Sequence, residues 1–300
     1  MADRPAGDVT PLVSVVMPVY NAGDYLRKAV LSILSQTFTH WELLIIDDGS
    51  TDQALQTIKD FVDPRIRIFR DGANRGLAAR LNEAMNLARG QYFARMDQDD
   101  VSYPERFARQ LKALQQNPQL DVVAARAVTI NENDRMTGQF PYAISHQEIG
   151  AQPWRGFYFP HPTWMGKIEW FRKHRYAVPA PYFCEDQELL LRTYRESQFA
   201  TVNEILFGYR VRSEINFRKL QKTRLAVFKI QWHCFGNTGQ PGYMLLALLT
   251  LAGRIVRDHM NWIARAICRS SHQIQNGNAS AQWRAVLDQL ADLDRVGKPR

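Results

Sequence analysis

The chain has 300 residues, of which 45% are hydrophobic and 23% charged, the balance of an ordinary soluble globular protein. Its three cysteines, Cys184, Cys234 and Cys268, are too few and too scattered for a disulfide framework or a zinc site, and point to a reducing, cytoplasmic setting. The net charge of +8 belongs to the C-terminal third, where residues 214–300 hold 13 Lys and Arg against 5 Asp and Glu, while the rest of the chain is neutral.

Met1 to Pro11 is short and polar, without the apolar stretch of a secretory signal. Val13 to Met17 (VSVVM) is a β-branched run without charges and reads as a buried parallel strand, broken by Pro18-Val19-Tyr20-Asn21. Ala22 to Gln36 has helical apolar spacing through Tyr25, Ala29, Ile33 and Leu34. Trp41 to Ile46 is a second buried strand ending in Asp47-Asp48-Gly49-Ser50, and Thr51 to Phe61 follows as a helix that Ser50 or Thr51 could cap. Arg65 to Phe69 alternates basic and apolar residues, as a strand near a sheet edge would. Gly76 to Arg89 sets Leu77, Leu81, Ala84, Met85 and Ala88 on one helical face, and Gly90 ends it. A strand from Gln91 to Met96, a helix from Pro104 to about Gln116 and a buried strand from Asp121 to Ala125 continue the alternation. The expected product is an α/β fold, an open and mostly parallel sheet with helices on both faces.

Between the Gln91–Met96 strand and the helix at Pro104 lies Arg95-Met96-Asp97-Gln98-Asp99-Asp100. Carboxylates crowded at the end of a buried strand resist joint ionisation, and a hard divalent cation with oxygen ligands relieves that cost. The competing reading is a solvated acidic loop that caps the next helix. Asp47-Asp48 and Asp97 both end strands at the same sheet edge, where open α/β sheets bind ligands, and this convergence favours a site.

From Val128 to Tyr142 the pattern weakens to short strands and turns, and Trp154 to Trp164 is rich in aromatic residues. Such a segment forms either a sugar-binding platform or plain core. Glu185-Asp186 opens an amphipathic helix, Gln187 to Tyr194, and Thr201 to Arg212 reads as one or two strands. From Phe217 on the chain is helical. Tyr243 to Val256 is strongly apolar but too short to cross a bilayer, and Arg254, Arg257, Arg265, Arg269 and Trp262 accompany it. A helix lying in a membrane interface suits this composition, and a helix packed on protein is the alternative. Ala279 to Leu293 is a small amphipathic helix.

The order of motifs resembles glycosyltransferase family 2. Val13 to Asn21 resembles that family's opening strand and turn, and Trp41 to Asp52 its second block. Asn74-Arg75-Gly76-Leu77 through Asn82 is similar to its third, Asp97-Gln98-Asp99-Asp100 to its D-x-D metal motif, and Glu185-Asp186 with Leu189 and Arg192 to its late acidic motif. The charge asymmetry sets apart a basic helical region over 214–300 that contacts an anionic membrane, and the resemblance, which covers residues 12–213, implies a GT-A catalytic domain over 1–213. It implies inverting transfer of one sugar from a UDP-sugar, helped by Mn²⁺ or Mg²⁺, to a glycan or lipid-linked saccharide, on the inner face of the cell membrane in cell-surface polysaccharide or lipopolysaccharide assembly. By the same resemblance Pro18 and Tyr20 line the base pocket, Asp48 accepts from the base, and Asp97 sits by ribose and metal. Asp99 ligates the metal, Arg80 and Asn82 reach the nucleotide side, and Asp186 is the general base. His161, Trp164 and Glu185 fall on the acceptor side.

The chain departs from the family pattern at Arg212, where a His is common, and it lacks the Q-x-x-R-W motif of processive synthases. A catalytically silent nucleotide-sugar or glycan binder of the same fold is the alternative, and the presence of Asp99 and Asp186 argues against it. A nucleotidyltransferase would need a glycine-rich basic loop after the first strand, and Pro18 to Asp24 is neither. The basic tail carries no nucleic-acid motif, so nucleic acid is not an expected partner.

Overall fold

A computed structural model describes residues 10–211, 216–267 and 277–296. Arg212, Cys268 and Arg269 lie outside the described residues. The first half runs β1 (Val13–Val19), α1 (Tyr25–Leu34), β2 (Trp41–Asp47), β3 (Ile66–Arg70), α2 (Leu77–Leu87), β4 (Tyr92–Arg95), β5 (Val101–Ser102) and α3 (Arg106–Gln116). The second half runs β6 (Val122–Ile130), β7 (Met136–Gln139), α4 (His146–Gly150), β8 (Met165–Lys167), α5 (Ile168–Lys173), α6 (Glu185–Thr193) and β9 (Phe199–Arg210). Three helices follow, α7 (Phe217–Asn237), α8 (Pro241–Ile267) and α9 (Gly277–Val296).

The strands form one nine-stranded sheet in the order β3-β2-β1-β4-β8-β6-β9-β5, with β7 paired to β6. β1, β2, β3, β4, β6 and β9 share one direction, and β5, β7 and β8 oppose it. β1 and β2 are buried along their whole length because helices cover both faces, which is why their sequences are continuous apolar runs. β3 is only partly buried, as its basic–apolar alternation requires at an edge. Pro18 is tolerated in the central strand because the ladder to β4 has already ended at Val16 and Arg95.

The two sheet faces build separate apolar layers. Val13, Val15 and Met17 pack with Leu26, Ala29, Val30 and Ile33 of α1 and with Phe107 and Leu111 of α3. Val16, Leu44 and Ile46 pack with Leu81 and Met85 of α2 and with Leu189, Leu190 and Leu191 of α6. The expected helix over Thr51 to Phe61 is a short 3₁₀ turn, Ala54–Ile58, in which Ala54 and Ile58 are buried while Leu55 and Phe61 pack at the edge of the core.

The C-terminal helices dock on this frame. Phe235 of α7 and Ala247 of α8 join the layer of α2 and α6. Trp283 of α9 lies against Gly208 of β9, where an added Cβ would meet the indole at 2.7 Å. Its Nε1–H donates to the Asp134 carbonyl at 2.7 Å, and its ring stacks on Tyr103 at 6.0 Å. Asp294 closes an ion pair with Arg27 of α1 at 2.6 Å.

β8 joins the parallel half to the rest of the sheet, and Gly166 is its close approach. A Cβ there would run into the carbonyl of Asp121 and meet Val122 Cα at 3.0 Å. Gly166→Ala is expected to lower stability by about 1–3 kcal/mol through overpacking between backbones. A urea midpoint equal to that of the parent would contradict this.

Candidate active site

Because β1, β2 and β4 are parallel neighbours, their C-terminal ends emerge together at one edge of the sheet. There Pro18, Tyr20, Asp48, Asp97 and Asp99 line one cavity of about 450 Å³, with Asn74, Gly76, Leu77, Gln98 and Phe183 completing it. Tyr20 is 47% exposed, so its ring is open to a ligand. Gln98 holds Tyr20 from both sides: its Oε1 accepts from the Tyr20 N–H at 2.6 Å and its Nε2 donates to the Tyr20 carbonyl at 3.0 Å.

Asp48 is nearly buried, and its carboxylate accepts from the N–H groups of Arg75 at 2.7 Å and Gly76 at 3.0 Å and from Arg80 Nε at 2.8 Å. Those bonds fix the 73–76 turn, in which Gly76 takes φ +83, a conformation that favours glycine.

Arg80 and Asn82 do not line the cavity, and this corrects their expected contact with the nucleotide. Arg80 is 1% exposed, and its guanidinium binds Asp48, Asp71 at 2.6 Å, Glu83 at 2.7 Å and the Ala73 carbonyl. It orients Asp48 from behind. Asn82 is committed to the Tyr176 backbone, donating to its carbonyl at 2.9 Å and accepting from its N–H at 3.0 Å.

The acidic loop has a buried cation beneath it. Arg95 is fully enclosed, its Nη2 pairs with Asp97 Oδ1 at 2.8 Å, and its Nε and Nη1 have no hydrogen-bond partner among the described residues. Burial, the largest single influence, disfavours its charge, and Asp97, Tyr176 and Glu185 together outweigh that, so its pKa is raised. Asp100 turns inward, with Oδ1 accepting from the Arg210 N–H at 2.7 Å and Oδ2 buried without a partner among the described residues. Burial, with Asp97 and Asp99 close by, pushes it well above the ordinary carboxylate range. Arg210, at the end of β9, also donates to the Asp99 carbonyl at 2.7 Å.

Glu185 and Asp186 open α6 on the other side of Arg95. Burial, then the charge of Asp186, pushes Glu185 up to about 7. Burial also raises Asp186, whose Oδ2 accepts from Gln187 Nε2 at 3.2 Å. Phe183, just before them, reaches the cavity in a left-handed conformation of φ 46, uncommon for an aromatic residue. His161 is committed inward, with Nε2 against Tyr176 Oη at 2.6 Å and Nδ1 3.8 Å from Glu185. Burial, then Arg95, holds it well below the ordinary imidazole range, so it is neutral. Trp164 is fully buried, donates to the Phe159 carbonyl at 3.2 Å and packs on His161 at 4.5 Å. Its expected place on the acceptor side is therefore corrected to core, where the apolar ring finds its partners.

The residues that sequence reasoning passed over are Arg95, Gln98, Tyr176 and Phe183. Arg95 sat in view beside the acidic motif, but a basic residue at a strand end reads as solvated. Phe183 belonged to an aromatic pair, Tyr182-Phe183, one residue before the acidic pair.

Two carboxylates in one cavity, Asp97 and Asp99, fit the way Mg²⁺ or Mn²⁺ is usually held, by one or two carboxylates plus phosphates of a substrate. Among the described residues no cluster of three or more His, Cys, Asp or Glu forms a cage that would hold a metal without a substrate.

The family model of glycosyl transferase family 2 matches residues 14–175, more than half of the chain. The O-antigen biosynthesis glycosyltransferase WbnJ of Escherichia coli is 30% identical over 227 residues, covering 74% of this chain and 86% of its own. The Escherichia coli enzyme named UDP-Glc:alpha-D-GlcNAc-diphosphoundecaprenol beta-1,3-glucosyltransferase WfgD is 31% identical over 140 residues, covering 46% of this chain and 54% of its own. The mannosyltransferase PcManGT of Pyrobaculum calidifontis, solved with GDP-Man and Mn²⁺, superposes with a TM-score of 0.56 at 15% identity, covering 95% of this chain and 89% of that one, and shares its fold. The architecture is the GT-A fold with a helical C-terminal region, and the chain is a glycosyltransferase that belongs to glycosyl transferase family 2.

Proposed function

We propose that the protein transfers one sugar, with inversion, from a UDP-sugar to a hydroxyl of a glycan or lipid-linked saccharide in cell-surface polysaccharide assembly. The observation that carries this is the single cavity at the sheet edge, in which an exposed tyrosine, a buried aspartate and two loop carboxylates meet beside the Glu185–Asp186 pair. The names of WbnJ and WfgD support the cell-surface role, and that of WfgD supports a UDP-sugar donor and a lipid-linked acceptor.

Tyr20 and Pro18 hold the base, and Asp48, oriented by Arg80, accepts a hydrogen bond from it. Asp97 and Asp99 would hold Mn²⁺ or Mg²⁺, which when bound offsets the negative charge growing on the diphosphate. Asp186 takes the proton of the acceptor hydroxyl as its oxygen displaces the nucleoside diphosphate from the anomeric carbon, and a raised pKa makes it a stronger base. Burial sets that pKa, and the charge of Asp186 in turn raises Glu185 beside it. The acceptor comes from the side of α6.

Calorimetric titration with UDP, with and without Mn²⁺, tests the donor site. Binding that needs the metal, and is lost in Asp99→Ala, is expected; binding of GDP alone would overturn the choice of UDP. Asp186→Asn is expected to lower kcat by a factor of about 10²–10⁴ while UDP affinity holds. A wild-type rate in that variant would remove the base assignment.

Glu185 generates a pH prediction with two readouts. Its folded pKa of about 7 exceeds the ordinary 4.5, so its contribution to stability is fully present below pH 4.5 and is lost as pH rises through 7. Glu185→Gln should flatten the stability profile across that window and move the acid limb of kcat to lower pH. Profiles that superimpose on the parent's would show that the pair is not coupled.

A further inference from the structure

A second cavity, of about 660 Å³, lies where α8 meets α7 and the 153–158 segment, and four arginines line it: Arg155, Arg224, Arg254 and Arg257. Among the described residues only Arg224 has a carboxylate partner, Asp258 at 3.2 Å. Arg254 is half-buried and donates to the Arg155 carbonyl at 2.5 Å, which fixes it in the wall. Burial, then the charges of Arg224, Arg257 and Arg155, lowers its pKa. Guanidinium groups brought this close repel one another, and their planar forks match the oxygens of phosphate. A cavity of this charge is complementary to a phosphate or diphosphate group.

The rim of the cavity is apolar and open. Leu245, Leu249, Val256 and Met260 recur at helical spacing along one face of α8, and are 57%, 58%, 63% and 61% exposed. Leu249 belongs to both the stripe and the cavity wall. Among the described residues no helix is long and apolar enough to cross a membrane. A helix with such a stripe next to arginines is suited to lying in the interface of a bilayer, with its cations at the level of the headgroups.

We propose that the four-arginine cavity binds the phosphate of a membrane lipid while the apolar stripe of α8 rests in the bilayer interface. The cavity also communicates with the acceptor side. The segment that contributes Arg155 and Tyr158 to its wall presents the Phe157 N–H to Gln187 Oε1 at 2.9 Å, and Gln187 in turn bonds Asp186 at 3.2 Å. On the reading of Asp186 as the base, a docked lipid phosphate lies close to where an acceptor on a lipid carrier must enter. Binding to membranes does not depend on that reading, so the two can fail separately.

The test is sedimentation of the full chain with vesicles of phosphatidylcholine alone and of phosphatidylcholine with phosphatidylglycerol. Binding to the anionic vesicles, displaced by inorganic pyrophosphate, is expected. R254Q/R257Q should weaken it by about tenfold or more. K222Q/K229Q, which removes the same charge from α7 outside the cavity, should cost less, and L249S/V256S should also weaken binding by removing the stripe. Equal binding to both vesicles, equal loss in the two charge variants, or pyrophosphate binding without vesicle binding would overturn the proposal. Should R254Q/R257Q fail to fold by circular dichroism, failure of pyrophosphate to displace the unmodified chain would overturn it instead.

Discussion

One buried guanidinium, that of Arg95, is the interaction on which the site depends. A lone cation enclosed in protein is costly, and removing its partner leaves that cost uncompensated. Here the cation lies between two acidic groups that would otherwise repel one another, the Asp97 loop on one side and Glu185 with Asp186 on the other. Each group is tolerable because Arg95 is present, and Arg95 is tolerable because they are. Its own backbone N–H is tied to the Trp164 carbonyl at 2.8 Å, so the charge is placed by the sheet itself.

Around that centre, polar side chains act as spacers rather than as ligands. Arg80 sets Asp48, Gln98 sets Tyr20, Asn82 sets Tyr176, and Tyr176 sets His161. Of the residues presented to the cavity, Asp48 is thus held by its carboxylate and Tyr20 through its backbone. Such preorganisation lowers the entropy that must be lost when a nucleotide and a metal are ordered. Partly buried carboxylates at α6 carry the opposite sign: they cost stability near neutral pH and supply basicity in return.

What could be read from the sequence divides along physical lines. The alternation of buried runs and helical faces through Ala125 gave the parallel half, because strands covered on both faces leave a continuous apolar signature. Asp48, Asp97 and Asp99 were readable as a group because strand ends in such a sheet share an edge. The insertion of β8 between β4 and β6 was not readable, since Met165–Lys167 is three residues long and carries no period. Arg80 misled, and Arg95 was passed over, because the burial of a charge depends on partners far along the chain. Trp164 misled because an aromatic residue near a polar site reads equally as platform or core, and only packing decides. The docking of α9 was hidden for a similar reason: Trp283 finds its place against the bare Cα of Gly208, a match of shapes 75 residues apart that no local pattern encodes.

The α9 contacts also bear on how the chain is made. Arg27 and Asp294 are 267 residues apart, and Trp283, Val286 and Leu290 cover Val128, Ile130 and Leu206 in one apolar cluster. During synthesis β1 to β4 can assemble once β4 has emerged, but that cluster waits until α9 has left the ribosome. Until then β6 and β9 carry an uncovered apolar face. Contacts this distant slow folding and lengthen the exposure of such surface. The nascent protein therefore passes through a stage as a nearly complete sheet with one greasy side, a species suited to capture by chaperones, and a stop codon before α9 would make that state permanent.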